Sequence, residues 1–444
     1  MSTPASATPD SAATDETQAL DRREDVDLAA PPRRDVQAVP GMRAPRTFAA
    51  LRHRNFRLFW LGNLVSLVGT WMQIVAQSWL VYQLTGSSLL LGVVSFASSM
   101  PAFVLSIPGG VWVDRYNKRT ILYVTQATSM LLAFVLAALV VANLVQVWQI
   151  VVLAVLLGMV NAIDAPARQA ITIDLASRED LMNAIALNST AFNVARVVGP
   201  AAAGILVGLT GVAMAFFLNG LSFAAVLVAL AMMRLPAHTP PQQHDSMWKT
   251  AAVGLDYIRT NTTILALISL LAVSSLFVLP YGTLMPVFAG DVLGLGATGY
   301  GVLMSATGIG AVIAALILAS LGNFRAKGIL LTVSNVIFPL ALIALAASRW
   351  LPLALAALVV AGWSMVSQGA LTNTLIQSTV PDHLRGRVLS IYMLVFFGFM
   401  PIGSLLMGSL AERIGAPPAI ILGALLSLMY AVFIFFRAPA VRAL

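Results

Sequence analysis

From Phe56 onward the sequence is a succession of long apolar runs separated by short polar breaks, and runs of that length permit few folds. They fall at about 58–82, 88–113, 120–142, 148–172, 182–208, 212–233, 263–288, 299–321, 328–347, 353–377, 386–411 and 417–436, twelve in all. About 20 apolar residues make a helix long enough to cross the hydrocarbon core of a bilayer. Each run is therefore expected to span a membrane as a helix, because an open strand would leave its backbone N–H and C=O groups unpaired in lipid. The composition agrees: 59% of the 444 residues are apolar and 10% are charged, where soluble globular chains carry about 25% charged residues. An ordinary soluble protein is excluded. With no cysteine, disulfides, thiolate metal sites and cysteine nucleophiles are excluded as well.

The breaks organise the rest. Residues 1–50 are dominated by Ala, Thr, Pro and Asp and cannot bury enough surface to fold alone. They contain no apolar core of a signal peptide, and Arg22-Arg23 and Arg33-Arg34 lack the apolar stretch a twin-arginine signal needs. A disordered cytoplasmic tail is expected there. The longest internal break, from Arg234 to Thr262, carries Pro236, Pro240, Pro241, Gln242, Gln243 and His244 and follows the sixth run. The spacing predicts a six-helix bundle over 51–235, a cytoplasmic central loop over 236–262, and a second six-helix bundle over 263–444.

Lys and Arg orient the array, because cytoplasmic loops retain them. One set of loops holds Arg52, Arg54 and Arg57; Arg115, Lys118 and Arg119; Arg178; Arg234, Lys249 and Arg259; Arg325 and Lys327; Arg385 and Arg387; Arg437 and Arg442. The opposite set holds only Arg349 and Arg413. Both termini are expected in the cytoplasm, and the chain in the cell inner membrane as a multi-pass protein. The net charge of +8 then reports topology, and no nucleic-acid partner is implied despite the basic balance.

The two halves also repeat one another. Gly92-Val93-Val94-Ser95-Phe96-Ala97 in the second run aligns with Gly301-Val302-Leu303-Met304-Ser305-Ala306 in the eighth. Glu179-Asp180-Leu181-Met182-Asn183 before the fifth matches Asp382-His383-Leu384-Arg385-Gly386 before the eleventh, and each run then reaches a proline, Pro200 or Pro401. Two similar bundles facing each other across a central cavity are expected.

The break after the second run reads Gly110-Val-Trp-Val-Asp114-Arg115-Tyr-Asn-Lys118-Arg119. Gly110 permits close helix approach, and Asp114 sits at a helix end where it can pair across to the other bundle in one conformation only. This stretch resembles the signature loop of the major facilitator superfamily, in which it is taken to act as a conformational gate. Pure topology charges are the competing reading of Arg115, Lys118 and Arg119. The second-half copy keeps Arg325 and Lys327 but has Asn323 and Phe324 near where the acid would stand. In the fifth run, Ala195-Arg196-Val-Val-Gly199-Pro200-Ala-Ala-Ala203-Gly204 resembles the Gly-Pro motif of the drug:proton antiporter branch; ordinary small-residue packing is the alternative. Wider stretches, including Asn161-Ala-Ile-Asp164-Ala-Pro166-Ala-Arg168-Gln169 and Asn183-Ala-Ile-Ala-Leu-Asn188-Ser, are similar to the exporter branch that includes the enterobactin exporter. The resemblance covers about residues 50–436. It implies an all-α membrane protein of twelve helices in two bundles, working by alternating access, with protons and a small molecule as its partners.

Charge inside a membrane is costly and marks function. Here it reduces to Asp164 and Arg168, four residues apart on one helical face, and Arg196. By helix rise Asp164 lies roughly 12 Å and Arg196 roughly 21 Å from the cytoplasmic boundary. Either Asp164 switches between Arg168 and Arg196 and couples protonation to motion, or a static ion pair holds the fourth and fifth runs together. By analogy with the family, runs one, four, seven and ten line the cavity. They offer Gln73, Gln77, Tyr281, Trp363 and Gln368 as site residues, with Ser274, Ser275, Ser367, Trp71, Met72 and Met365 around them. Such a set suits a largely apolar or amphipathic molecule, to which Arg196 can add attraction for a carboxylate or catechol.

Other chemistry is not supported. Ser246-Met-Trp-Lys249 lacks the partner motifs of acyl-serine enzymes, and Gly294-Leu-Gly296-Ala-Thr-Gly299 follows no strand. The histidines His53, His238, His244 and His383 lack metal-ligand spacing. No cofactor, no metal and no enzyme activity are expected. The expectation is a monomeric, proton-coupled exporter of a small amphipathic compound such as a drug, siderophore or metabolite. A dedicated siderophore exporter and a lysophospholipid flippase-like protein are the alternatives.

Overall fold

A computed structural model describes residues 46–177, 179–233, 247–322 and 324–444. The side chains of residues 46–47, 106–111, 114 and 247–253 fall outside that description. The expected tail up to residue 45, Arg178, Arg234, His238, His244, Ser246 and Asn323 lie outside the described residues, as do the side chains of Asp114 and Lys249 and the surroundings of Gly110.

Among the described residues, twelve helices are long and apolar enough to cross a membrane. They are α1 (Arg54–Thr85), α2 (Ser88–Arg115), α3 (Lys118–Val141), α4 (Val147–Leu175), α5 (Leu181–Thr210) and α6 (Val212–Met232), then α7 (Thr262–Val292), α8 (Ala297–Leu321), α9 (Lys327–Ala347), α10 (Leu351–Thr379), α11 (Asp382–Ile414) and α12 (Ala416–Arg437). The apolar runs fix their existence, and polar caps fix their ends. Ser87 accepts from the amide of Leu90 at the start of α2, Asn117 from Arg119 at the start of α3, and Asn261 from Thr263 and Ile264 at the start of α7. Each satisfies amide donors that have no partner in the first turn of a helix. Gly86 ends α1 in the left-handed conformation, φ 62°, which glycine adopts without steric cost.

Two elements differ from the expected pattern. The seventh run is not one continuous helix: it stops at Phe277, resumes at Tyr281, and widens into a π turn over Phe288–Val292. Pro280 explains the break, since proline lacks the N–H that would continue the ladder and its ring crowds the preceding turn. Within the expected central connection 236–262, the backbone is helical from Met247 to Thr260. There Ile258 is buried, and Gly254 lies against Arg387 and Ile391 of α11.

The short connections reverse the chain at each turn, so the basic loops gather at one end of the molecule; the other end is called here the opposite end. Within the first six helices, α2 packs on α4, α3 on α6, and α1 on both α5 and α6. Within the last six, α8 and α9 pack on α10, α9 on α12 and α7 on α11. The two sets meet along two seams, α5 against α8 and α2 against α11.

Candidate functional site

Both seams are built on glycine. In the first, a Cβ placed on Gly204 would sit 3.0 Å from the Cα of Gly301, so only glycine lets these backbones approach. Thr298 donates its hydroxyl to the Gly204 carbonyl at 3.0 Å, and Ser305 donates to the Val197 carbonyl at 3.0 Å. The last close approach sets Gly308 against the carbonyl of Arg196. In the second seam a Cβ on Gly408 would lie 3.0 Å from the Cα of Gly92, and the Phe103 ring packs against Gly398. Gly92 and Gly301 are the positions that open the repeated six-residue stretch, and each makes the equivalent cross-seam approach.

Acids close the opposite end. Glu412 accepts from the Ser87 hydroxyl at 2.9 Å and from the Leu89 amide at 3.0 Å, tying α11 to the start of α2. Tyr82 donates to Asp291 at 2.5 Å, tying α1 to α7. Every hydrogen bond described between the two sets of helices lies at Arg196 or on its opposite-end side. Toward the basic end, Met182 and Phe192 of α5 and Leu316 and Leu321 of α8 are exposed.

Beside the Gly308 contact, α1, α5, α7 and α10 bring side chains together around Arg196. Its guanidinium lies 5.8 Å from the centroid of the Trp71 ring and donates to the thioether of Met365 at 3.5 Å. It is also within electrostatic range of the Tyr281 hydroxyl. Gly199, one turn along α5, makes this possible: its missing side chain admits Trp71, whose Cβ would be 2.5 Å from a Cβ there. Phe192 meets the Trp71 ring edge-on at 5.7 Å. Tyr281, placed by the break in α7, is buried, donates to Thr307 at 3.3 Å and stands edge-on to Phe338. Trp363 is half-buried on α10, and Gln77 half-buried on α1. Pro200 is buried within an unbroken α5.

Gln73 and Gln368 are hydrogen-bonded to neighbouring helices. Gln73 is buried and accepts from Asn219 of α6 at 2.6 Å. Gln368 accepts from Ser274 of α7 at 2.9 Å and donates to Asn335 of α9 at 2.5 Å. Both act as polar glue between helices.

Asp164 and Arg168 form the expected pair on α4, and Asp164 is buried. The carboxylate also accepts from Thr125 at 2.6 Å and Gln126 at 2.7 Å on α3, and Arg168 reaches Asn63 on α1. Among the described residues, no hydrogen bond or ion pair joins Asp164 to Arg196. The partners on α1 and α3 were not singled out from the sequence; polar Thr125-Gln126 inside an apolar run was the available signal. In the gate loop, Lys118 pairs with Asp174 of α4 at 2.7 Å. Arg119 donates to the Ala231 carbonyl of α6 at 3.3 Å and lies 5.7 Å from the Tyr123 ring centroid. Arg115 is exposed. Lys118 and Arg119 thus bind within the first six helices. Tyr82, Asp291 and Glu412 were missed as well, although the two acids are the only ones the sequence places in opposite-end breaks.

Six helices meeting six along two glycine seams, around a charge at mid-depth, define a membrane transporter of the major facilitator type. The chain belongs to that superfamily's transmembrane secretion effector family, whose model matches residues 45–444. It is 27% identical to the staphyloferrin A transporter of Staphylococcus aureus, over 81% of this chain and 90% of that protein. It is 25% identical to the multidrug efflux pump Tap of Mycolicibacterium fortuitum, over 79% and 88%. The enterobactin exporter EntS of Shigella boydii is 26% identical, over 81% and 85%. Among solved structures, a bacterial homologue of the human lysosomal transporter Spinster, inward-facing and occupied, superposes with a TM-score of 0.68 at 15% identity, covering 87% of this chain and 97% of that one. A peptide transporter of the POT family does so at 0.70 and 11%, covering 88% and 95%. These likenesses concern the fold, and the sequence relatives are transporters, not enzymes.

Proposed function

We propose that this protein is a secondary active exporter that moves a small amphipathic compound by alternating access in exchange for protons. One observation carries the reading: every described hydrogen bond between the two sets of helices lies at Arg196 or on its opposite-end side, while Met182, Phe192, Leu316 and Leu321 are exposed toward the basic end. Alternating access requires a state shut on one side of a mid-depth site and open on the other. With the basic loops in the cytoplasm, this is the state that loads cargo from inside a bacterial inner membrane. Residues 51–235 and 263–444 are then the bodies that rock, in a monomer, with 236–262 as their cytoplasmic connection. The loop from Gly110 to Arg119, Asp114 above all, is the latch for the state in which the basic end shuts. The relatives named for siderophore export and for multidrug efflux support the direction of transport.

Asp164 is the best-placed proton carrier, being a buried carboxylate whose charge is held by one arginine and two neutral donors. The test is flux in proteoliposomes under an imposed pH gradient, with a panel of amphipathic compounds. Transport that collapses with the gradient supports the reading; flux indifferent to the gradient removes the proton step, and no flux of any compound removes the exporter.

A further inference from the structure

The molecule holds two arginines at membrane depth, and they are treated differently. Arg168 has a carboxylate and an amide oxygen. Arg196 carries the same charge, yet among the described residues it hydrogen-bonds to no carboxylate and no other oxygen: its contacts are the Met365 sulfur and the Trp71 face, with the Tyr281 hydroxyl in electrostatic range. A thioether is a weak acceptor, and a guanidinium has five donors in a planar fork. A half-buried guanidinium at membrane depth with so weak a partner has donors free for an oxyanion.

Its position makes those donors useful. Arg196 stands at the basic-end limit of the described hydrogen bonds between the two sets of helices, and the helices on either side of it belong to both halves. The Met365 contact is soft and replaceable, because methionine has three rotatable bonds. The Trp71 face, with Phe192 at its edge, offers a flat apolar wall beside the charge.

We propose that Arg196 is the substrate anchor and that the cargo is an amphipathic oxyanion: a carboxylate or acidic phenolate, taken by the guanidinium fork in place of Met365, on a planar apolar body that lies against Trp71 and Phe192. The inference rests on the exporter reading for the path the cargo follows, and adds its charge and shape. A bidentate contact favours planar oxyanions over cations of equal size, and a cation would meet the repulsion of Arg196 in a site that holds no acid within hydrogen-bond reach among the described residues.

The test uses the full chain in a neutral maltoside detergent and three ligands with one ring system: 2-naphthoate, 2-naphthamide and 2-naphthylmethylammonium. Binding is read as a ligand-dependent rise in the unfolding midpoint. Naphthoate is expected to bind best. Arg196→Gln is expected to weaken naphthoate at least tenfold and leave the amide within about twofold, while Arg196→Lys, which keeps the charge without the fork, falls between. Failure of naphthoate to bind the unmodified protein, equal binding by Arg196→Gln, or tighter binding of the ammonium ligand would overturn the proposal. Should Arg196→Gln not fold, the decision passes to the unmodified protein and Arg196→Lys: a naphthoate preference weakened by the lysine supports the anchor, and an unchanged one overturns it. A separate arm measures naphthoate flux in proteoliposomes under a pH gradient. Binding without flux leaves the anion site standing and counts against the exporter.

Discussion

The hydroxyl of Tyr82 donates to the carboxylate of Asp291 at 2.5 Å across the gap between α1 and α7. Together with Glu412 on the start of α2, it gives the opposite end two one-sided latches, each with its acid in the second six helices and its donor in the first. A hydrogen bond to a charged group contributes about 1.5–3 kcal/mol. Asp291→Asn with Glu412→Gln is therefore expected to shift the equilibrium at least tenfold toward a state open at that end. Because the chain has no cysteine, labels at Leu144→Cys and Trp350→Cys, both exposed at that end, report the change directly. An unchanged distance distribution between them would show that the acids are not latches.

Gly301 offers a steric version of the same experiment. A Cβ there would meet the Pro200 carbonyl at 2.5 Å and the Gly204 Cα at 2.6 Å, both backbone atoms that cannot swing aside. Gly301→Ala is expected to pry the α5–α8 seam apart and lengthen the distance between the same labels. Gly282→Ala, with nothing within 4 Å, is the control and should leave the distance as it was.

Asp164→Asn removes the buried carboxylate that partners the part-buried Arg168, and breaking a fully buried pair from one side costs about 3–5 kcal/mol, an upper bound here. The single variant should lower the unfolding temperature, and Asp164→Asn with Arg168→Gln should recover much of the loss. The proton role makes a further demand: the double variant, once refolded, should carry cargo down its own gradient with no response to an imposed pH gradient. A stable double variant that still concentrates cargo against a gradient would leave the pair a brace and nothing more.

Gln368→Leu leaves Asn335 and Ser274 without their partner between α7, α9 and α10. The expected result is a stability loss of about 1–3 kcal/mol with the order of preference among ligands unchanged. A changed order would return Gln368 to the ligand site.

The sequence and the structure agree wherever length or steric bulk carries the message. Twelve apolar runs became twelve helices, and Gly92 and Gly301, noticed only as a repeat, proved to be the matching contact points of the two seams. Direction was not legible. A transmembrane helix is apolar toward lipid and toward its neighbours alike, so no periodicity says which way a lone polar residue points. Gln73 and Gln368 read as cavity residues, and their hydrogen bonds to Asn219 and Asn335 stayed out of sight for that reason. The break in α7 was hidden because Pro280 lies within unbroken hydrophobicity. Asp291 and Glu412 were hidden because an acid outside the membrane draws no notice until the helix it meets is known.

The last described hydrogen bond of the α5–α8 seam falls at Val197, next to the proposed anchor Arg196. If α5 tilts as a rod about that point, Arg196 sits almost at the fulcrum and Met182 at the end of an arm of about 21 Å. A tilt of about ten degrees then sweeps Met182 through about 4 Å while the guanidinium scarcely leaves its place. Cargo held at Arg196 would ride at the still centre of a lever, keeping one grip from loading to release while the doorway changes sides around it.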